Sequence, residues 1–160
     1  MTEPAGTAAT RRELTITRVF DAPRDLVFQA WTDPAQLTRW FGPRGMSTPR
    51  STISVEARPG GRWRVCMVRD SDGSEYPTGG EYREVVPPER LVFTWGDPAE
   101  TSEADGVAGI SLVTVTFADL GDKTEMVLHQ AGFSTDGARG DVYDGWSSAF
   151  DCLAEYIAAR

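Results

Sequence analysis

Apolar side chains alternate with threonines at the start of residues 14–20 (LTITRVF), where β-branched residues are abundant. This period of two predicts a strand with one covered face. Beyond it, Val27, Ala30 and Trp31 recur at helical spacing behind Pro23. Proline suits the first turn of a helix because its φ is already helical and no N–H partner is needed there. We therefore predict that the chain opens with a strand and a helix.

A second short helix is predicted directly after the first one. Asp33 can cap it, Pro34 supplies the fixed φ of the first turn, and Gln36 completes a pattern like a capping box. Its apolar face consists of Leu37, Trp40 and Phe41. We expect the helix to end at residues 42–43, because glycine tolerates the left-handed cap and proline cannot continue a helix.

The pattern then changes to short strands separated by turn residues. The predicted strands cover residues 51–58, 62–69, 80–86, 90–96, 110–118 and 124–132. In the second of these, Trp63 and Met67 share one face, and Arg62 and Arg64 are expected on the exposed face. Such alternation is typical of an antiparallel sheet that is covered on one side.

Two of the predicted connections are long. We expect residues 70–79 to form a polar hairpin loop, and residues 97–109 carry four acidic side chains and no basic one. A loop of this length is either mobile or functional. We favour a solvated loop over a metal site, because its carboxylates lack the spacing and the turn glycine of a calcium loop.

A long amphipathic helix is predicted over residues 141–159, with Asp141 as its cap. Its apolar stripe consists of Val142, Trp146, Ala149, Phe150, Leu153 and Ile157. One strand, two helices, six strands and a final helix describe an α+β domain. The stripe is the long apolar surface available to cover the sheet, so we expect the helix to pack there.

The net charge of the chain disfavours two classes of binding partner. The 160 residues carry 16 basic and 24 acidic side chains, so the formal net charge is −8. Nucleic-acid binders need cations that replace phosphate counterions, and anionic membrane surfaces repel acidic proteins, so both partners are disfavoured. No apolar run approaches the roughly 20 residues that span a bilayer. With no apolar stretch of a signal peptide at the start, we expect a cytoplasmic protein.

The length suits one hydrophobic core, so we predict a single domain over residues 13–160. Residues 1–12 are small, polar and aperiodic, and we expect them to form a disordered tail. Cys66 and Cys152 make neither a disulfide framework nor a zinc-ligand pattern. We expect both thiols to be reduced, buried and structural, and we expect no metal and no cofactor.

Several motifs together resemble one known family. They are RVFDAPRDLVFQAWTDPAQLTRWFGP (18–43), PGGRW (59–63), GEYREVVPPERLVFTW (80–95), TEMVLHQAGF (124–133) and GW (145–146). The chain resembles the single-domain relatives of the activator of heat shock protein 90 ATPase, which belong to the START-like or SRPBCC superfamily. That superfamily hosts carriers, cyclases, lyases and cochaperones on one scaffold, so the resemblance implies a fold more than an activity.

The resemblance implies a helix-grip fold, in which a curved antiparallel sheet wraps the long C-terminal helix and two short helices close one end. It also implies an apolar cavity between helix and sheet. The positions that match cavity-facing positions of the family are Trp40, Phe41, Trp63, Met67, Tyr82, Phe93, Trp95, Met126, Leu128, Gln130, Trp146 and Phe150. We expect these residues to bind the ligand.

The aromatic composition of the chain leaves open whether there is a cavity. Five tryptophans and seven phenylalanines are more than a tight core of this size needs, and ligand sites are mostly apolar. The alternative is that these rings fill the grip completely. Composition alone favours the filled core, and the resemblance favours a cavity.

Candidates for acid–base chemistry are few. If Leu128 and Gln130 face the helix, the single histidine, His129, faces away from it. Gln130 can hydrogen-bond a ligand but cannot shuttle a proton near neutral pH. Glu84 is the weak catalytic candidate, and Asp144 lies near the expected cavity mouth. For these carboxylates we favour an ion pair between Glu84 and an arginine, and a helix-dipole role for Asp144.

Three alternative functions are compatible with these residues and with the family resemblance. The preferred one is a protein that binds an apolar, aromatic or lipid-like molecule, oriented by Gln130, Tyr82 and an indole N–H, without catalysis. The second is an enzyme like a polyketide cyclase or aromatase, with Glu84 as its acid or base in the same cavity. The third, implied by the family name alone, is a cochaperone-like partner of heat shock protein 90 in the stress response. Edge strands of the predicted sheet can pair with a second copy of the chain, so the sequence leaves a homodimer as an open alternative.

Overall fold

The structure of the protein, a computed structural model, describes residues 12–95, 107–133 and 136–159. Its strands are β1 (Arg12–Phe20), β2 (Met46–Ser47), β3 (Ser54–Val55), β4 (Arg62–Arg69), β5 (Glu75–Val86), β6 (Arg90–Trp95), β7 (Val107–Asp119) and β8 (Thr124–Phe133). Its helices are α1 (Arg24–Thr32), α2 (Pro34–Trp40) and α3 (Asp136–Ala158), with a 3₁₀ turn at Arg50–Thr52. Most of the expected tail and of the acidic loop lies outside the described residues.

The described strands form one antiparallel sheet. Their order is β1-β8-β7-β6-β5-β4-β2, and β3 also pairs with β4. Consecutive strands from β4 to β8 are neighbours, and β1 lies on the far side of β8, so the connections follow the usual rule that adjacent strands pair. The sheet is curved, with α3 as the long C-terminal helix and α1 and α2 after the first strand. The predicted α+β helix-grip architecture is confirmed.

The start of the second short helix is as predicted, and the first begins one residue later than predicted. Pro23 occupies the N-cap of α1, and the Asp33 side chain accepts a hydrogen bond from the backbone N–H of Ala35 at 3.0 Å. Gln36 Nε2 donates to Asp33 Oδ2 at 3.2 Å, whereas the Asp33 backbone N–H donates to Gln29 O, so the reciprocal bond of a capping box does not form. Gly42 follows α2 with a φ of +101°, in the left-handed region that favours glycine.

The predicted loop over residues 70–79 is wrong in its second half, which belongs to β5. Gly79, at the end of the predicted loop, and Gly80, at the start of the predicted strand, both serve a close approach of backbones. A Cβ on Gly79 would lie 2.5 Å from the carbonyl oxygen of Trp63, and one on Gly80 would lie 1.9 Å from that of Thr94. Glycine is therefore required inside this strand by its neighbours on both sides.

Two other boundaries differ from the prediction. The segment 51–58 contains only the two residues of β3 and part of the 3₁₀ turn. Helix α3 begins five residues early, so Asp141 lies in its second turn and is not its cap. Residues 136–140 include two glycines, which disfavour a helix, but Ala138 packs against the core there.

An aromatic cluster centred on Trp31 forms the core. Its ring lies 5.0–6.5 Å, between centroids, from the rings of Trp40, Phe93, Phe117, Trp146 and Phe150. Rings from α1, α2, α3 and two strands thus meet at one point, and contacts of this kind add to the free energy of burial. The buried residues of α3 are Trp146, Ala149, Phe150 and Leu153, all of them in the predicted stripe.

Candidate functional site

An apolar pocket of about 390 Å³, open to the surface, lies between α3, the β4–β5 hairpin and the loop after α2. Its lining residues are Phe41, Gly42, Pro43, Met46, Met67, Arg69, Tyr76, Trp95, Asp141, Val142, Gly145, Trp146 and Ala149. We refer to this space as the outer pocket. Its volume lies in the range typical of sites for small molecules.

Three rings form one side of the outer pocket. Phe41 stacks on Trp95 with ring centroids 6.3 Å apart, and it meets Trp146 edge-on at 5.8 Å. Trp95 and Trp146 are themselves 5.5 Å apart. Each of these three rings contacts the other two, so together they form a continuous apolar surface with defined orientations.

Two charged residues also line the outer pocket. The Arg69 guanidinium lies 5.2 Å from the ring centroid of Tyr76, and its Nη1 is 3.3 Å from Asp72 Oδ2. Asp141 lies on the α3 side. Because the Arg69–Asp72 pair is half-exposed, it contributes little to stability. With five N–H donors, Arg69 can hydrogen-bond a polar ligand group as well as Asp72.

Two buried hydrogen bonds connect the Trp146 indole to Gln130, and Gln130 to Ser111. Its Nε1 donates to Gln130 Oε1 at 2.8 Å, and Gln130 Nε2 donates to Ser111 Oγ at 2.8 Å. Both Gln130 and Ser111 are fully buried. Gln130 therefore orients the tryptophan, and this bond engages both the Trp146 indole N–H and the amide oxygen of Gln130, a residue that we expected to orient a ligand.

A second space of about 20 Å³ lies among side chains that are nearly all buried. Its lining residues are Trp31, Leu37, Phe41, Val55, Trp63, Val65, Tyr82, Leu91 and Phe93. We refer to it as the inner void. The Tyr82 side chain is buried, and burial raises the pKa of its phenol well above its usual value of 10.0. Phe41 lines both the inner void and the outer pocket.

The twelve predicted ligand-binding residues fall into three groups. Those on the outer pocket are Phe41, Met67, Trp95 and Trp146. Those on the inner void, besides Phe41, are Trp63, Tyr82 and Phe93. Those packed in the core beside these spaces are Trp40, Met126, Leu128, Gln130 and Phe150. The structure thus brings the predicted set together around one region, and a binding role for each member stays a prediction.

Several lining residues were not predicted from the sequence. Arg69 continues the alternation of Trp63 and Met67 along β4, so that pattern already pointed to it. Tyr76 pairs with Met67 across the sheet, but it lay in a segment predicted as a loop. Asp141 was assigned to a helix cap. For the loop residues and Gly145, no pattern in the sequence marked a lining position.

The acid–base candidates lie away from both spaces. Glu84 is half-exposed, and its Oε1 accepts a hydrogen bond from Arg90 at 2.6 Å, so the favoured ion pair is confirmed. Asp144 is exposed and does not line the outer pocket. His129 faces outward as predicted and contacts Glu13. Arg62 is exposed, as expected.

Cys66 and Cys152 are free thiols, but both are only half-buried, so their predicted burial is wrong. Cys66 lies beneath the 3₁₀ turn, where its backbone N–H donates to Thr52 Oγ1. Within the described ranges, no group of three or more His, Cys, Asp or Glu side chains has a geometry that can hold a metal ion. None of the helices described is long and apolar enough to cross a membrane.

Solved structures similar to this chain share its fold over most of its length. Protein CV1439 from Chromobacterium violaceum is 27% identical, with a TM-score of 0.79 over 91% of this chain and 96% of that one. The AHSA1 protein from Silicibacter pomeroyi is 26% identical, with a TM-score of 0.77 over 92% and 98% of the two chains. CalU16 from Micromonospora echinospora is 26% identical, with a TM-score of 0.64 over 92% and 76%.

A search of curated proteins finds no match to this chain. Its sequence does match a family profile described as "Activator of Hsp90 ATPase homolog 1-like protein" over residues 21–158. This match covers α1, α2, the sheet from β2 to β8, and α3, which together build the outer pocket. The protein therefore belongs to the Activator of Hsp90 ATPase homolog 1-like family.

Proposed function

We propose that the protein binds an apolar or aromatic small molecule in the outer pocket. The observation that carries this proposal is the open space of about 390 Å³ beside the ring surface of Phe41, Trp95 and Trp146. Removing apolar surface from water supplies roughly 25 cal/mol per Å², so a flat apolar ligand gains most by covering these rings. Arg69 and Asp141 supply polar groups that orient it.

The architecture supports binding more than catalysis. Glu84, the acid or base considered for a cyclase, is paired with Arg90 on the exposed side of the sheet. The name of the family refers to an activator of a chaperone ATPase, but no surface of this chain that the structure describes favours that role over ligand binding. Small-molecule binding is therefore the function that this site supports best.

Thermal unfolding followed by tryptophan emission tests the proposal against lipids, flavonoids, sterols and polyketide-like aromatic compounds. A ligand at one hundred times its dissociation constant stabilises the folded state by about 2.7 kcal/mol. For a domain of this size the expected rise in Tm is roughly 5–10 °C. A panel without any such rise, repeated with protein stripped of carried-over lipid, would contradict the proposal.

Gly145→Leu locates the site. A Cβ at Gly145 meets nothing within 4 Å, and this residue lines the outer pocket, so a leucine side chain begins without a clash and extends into the pocket. We expect the variant to lose the ligand-induced rise in Tm while its own Tm is unchanged or higher, since leucine favours a helix more than glycine does.

Gly140→Leu is the matched control for this variant. Gly140 lies in the same helix, meets nothing within 4 Å of an added Cβ, and does not line the outer pocket. It is expected to keep the full ligand-induced rise in Tm. Equal responses of the two variants would place the ligand elsewhere.

A further inference from the structure

We propose that Phe41 is a gate between the outer pocket and the inner void, and that the void receives a carbonyl-bearing aromatic end of the ligand, bound by Tyr82. The proposal rests on the proposed function, because the ligand enters through the outer pocket. It names a subsite, a residue that controls access to it, and the chemical class of the group that occupies it.

The position of Phe41 supports the gate. Its ring is the wall that the two spaces share. Its backbone is held at both ends, because its N–H donates to Leu37 O at 2.9 Å and its carbonyl accepts from Thr48 Oγ1 at 2.7 Å. Movement is therefore confined to the side chain, and the open outer pocket supplies the space into which the ring can rotate.

The size of the inner void explains why a gate is needed. A space of about 20 Å³ holds about one water molecule and no ligand ring. When the Phe41 ring rotates outward, the volume that it occupied joins the void. The walls that remain include Trp63 and Phe93, whose centroids are 5.6 Å apart at 79°. Such walls suit a flat aromatic group.

Tyr82 defines the chemistry of the inner void. It is 4% exposed and lines the void, and among the residues that the structure describes its hydroxyl has no hydrogen-bond partner. Buried polar groups are nearly always paired, so a buried hydroxyl without a partner is a candidate for ligand contact. Burial raises the pKa of this phenol, so it stays neutral and donates its proton to an acceptor. A carbonyl oxygen is the acceptor that an aromatic ligand commonly carries.

The subsite is tested with two fluorescent probes that differ by one carbonyl group. The aromatic ketone is 6-propionyl-2-dimethylaminonaphthalene, and the matched probe, in which a methylene replaces the carbonyl, is 6-propyl-2-(dimethylamino)naphthalene. Tyr82→Phe keeps the ring and removes the hydroxyl, and we expect it to weaken binding of the ketone by about 3- to 10-fold. Binding of the matched probe should not change. Tyr143→Phe, on the exposed side of α3, is the control.

The gate is tested by the association rate of the ketone in stopped-flow fluorescence. Phe41→Leu shortens the barrier side chain and is expected to speed association several-fold, because the open state becomes more populated. Phe28→Leu is the matched control, since Phe28 is equally buried but packs on Phe117 at 5.4 Å and lines neither space. Both substitutions are mild enough for the folded state to be checked by its Tm.

The outcomes separate this inference from the proposed function. If Tyr82→Phe leaves ketone affinity unchanged, the inner subsite is refuted, and if Phe41→Leu leaves the association rate unchanged, the gate is refuted. In either case, binding that Gly145→Leu still blocks would keep the proposed function. Failure of the ketone to bind while other ligands bind also overturns the inference alone. A lack of binding by every ligand overturns both.

Discussion

At the scale of single residues, the buried aromatic side chains that carry a polar group differ in whether that group has a hydrogen-bond partner. The indole N–H groups of Trp40 and Trp63 donate to the carbonyl oxygens of Ala30 at 2.9 Å and Thr94 at 3.1 Å. That of Trp146 donates to Gln130. Tyr82 is buried to a similar degree, and within the described residues its hydroxyl makes no such bond. Unlike an indole, its phenol can ionise, so its burial contributes to the pH dependence of stability.

The stability of the protein is expected to fall in alkali partly through Tyr82. Its folded-state pKa is raised by burial above the usual value of 10.0, so the unfolded chain loses the proton first. The stabilising contribution is complete below about pH 10 and is lost as the pH rises toward the folded-state pKa. Tyr82→Phe should therefore lose less stability than the wild type, by up to about 1.4 kcal/mol per pH unit above 10.

Urea unfolding at a series of pH values from about 8 to 11 measures this difference. Tyr143→Phe controls for the removal of an exposed hydroxyl. Parallel pH profiles of the wild type and Tyr82→Phe would show that the phenol is not buried as described.

At the scale of elements, β5 shows where local pattern and tertiary structure disagree. Residues 77–79 lie in the predicted loop and Gly80 begins the predicted strand, but all four residues pair with β4. The two glycines are there because neighbouring backbones leave no space for a Cβ. The residue type is determined by contacts with Trp63 and Thr94, which lie 14 or more residues away in sequence, so rules based on local sequence do not predict it.

Gly80→Ala is expected to lower the free energy of unfolding by about 1–3 kcal/mol or more, as overpacking in a core does. Its Cβ would lie 1.9 Å from Thr94 O, a backbone atom that cannot move without disturbing β6. Gly140→Ala, where an added Cβ meets nothing within 4 Å, should instead stabilise by up to about 1 kcal/mol. Denaturant unfolding of both variants measures the contrast, and equal effects would exclude the close approach.

At the scale of the whole molecule, polar contacts dock α3 on the sheet in one position. Gln130 joins β8 to both Trp146 on α3 and Ser111 on β7. At the edge, Arg18 of β1 donates to Asp151 Oδ1 at 2.9 Å and to Ser147 O at 3.1 Å. Apolar packing alone tolerates small shifts of a helix, but these bonds specify its position, and with it the shape of the outer pocket.

Gln130→Met keeps the volume and removes the hydrogen bonds of Gln130. The variant leaves the Trp146 N–H and the Ser111 hydroxyl buried without this partner, so we expect a loss of about 1–3 kcal/mol in the free energy of unfolding. Ligand affinity should fall as well, because Trp146 is less firmly oriented. His129→Gln, the neighbouring outward position, is expected to stay within about 0.5 kcal/mol. Calorimetry measures the stability of each variant, and fluorescence titration measures its ligand affinity. If Gln130→Met were as stable as the wild type, the hydrogen bonds of Gln130 would not contribute to the docking of α3.

Much of this protein was predictable from the sequence by local rules. The order of elements, the capping by Asp33, and the outward position of His129 follow from periodicity and from side chains that act within one turn. The motifs spread along the chain indicated the family, and the matching profile shows it. The buried stripe of α3 was predicted because helical spacing specifies a face.

Only the tertiary structure decided which of the predicted apolar side chains line an empty space and which pack against other side chains. Periodicity predicts that Trp40 and Phe41 are both buried, but it does not contain the distance to α3 or to the sheet. Trp40 is enclosed in the core, whereas Phe41, one residue later, lies between the outer pocket and the inner void. A cavity is the volume left between elements that are distant in sequence, so it is a property of their packing and of no single segment.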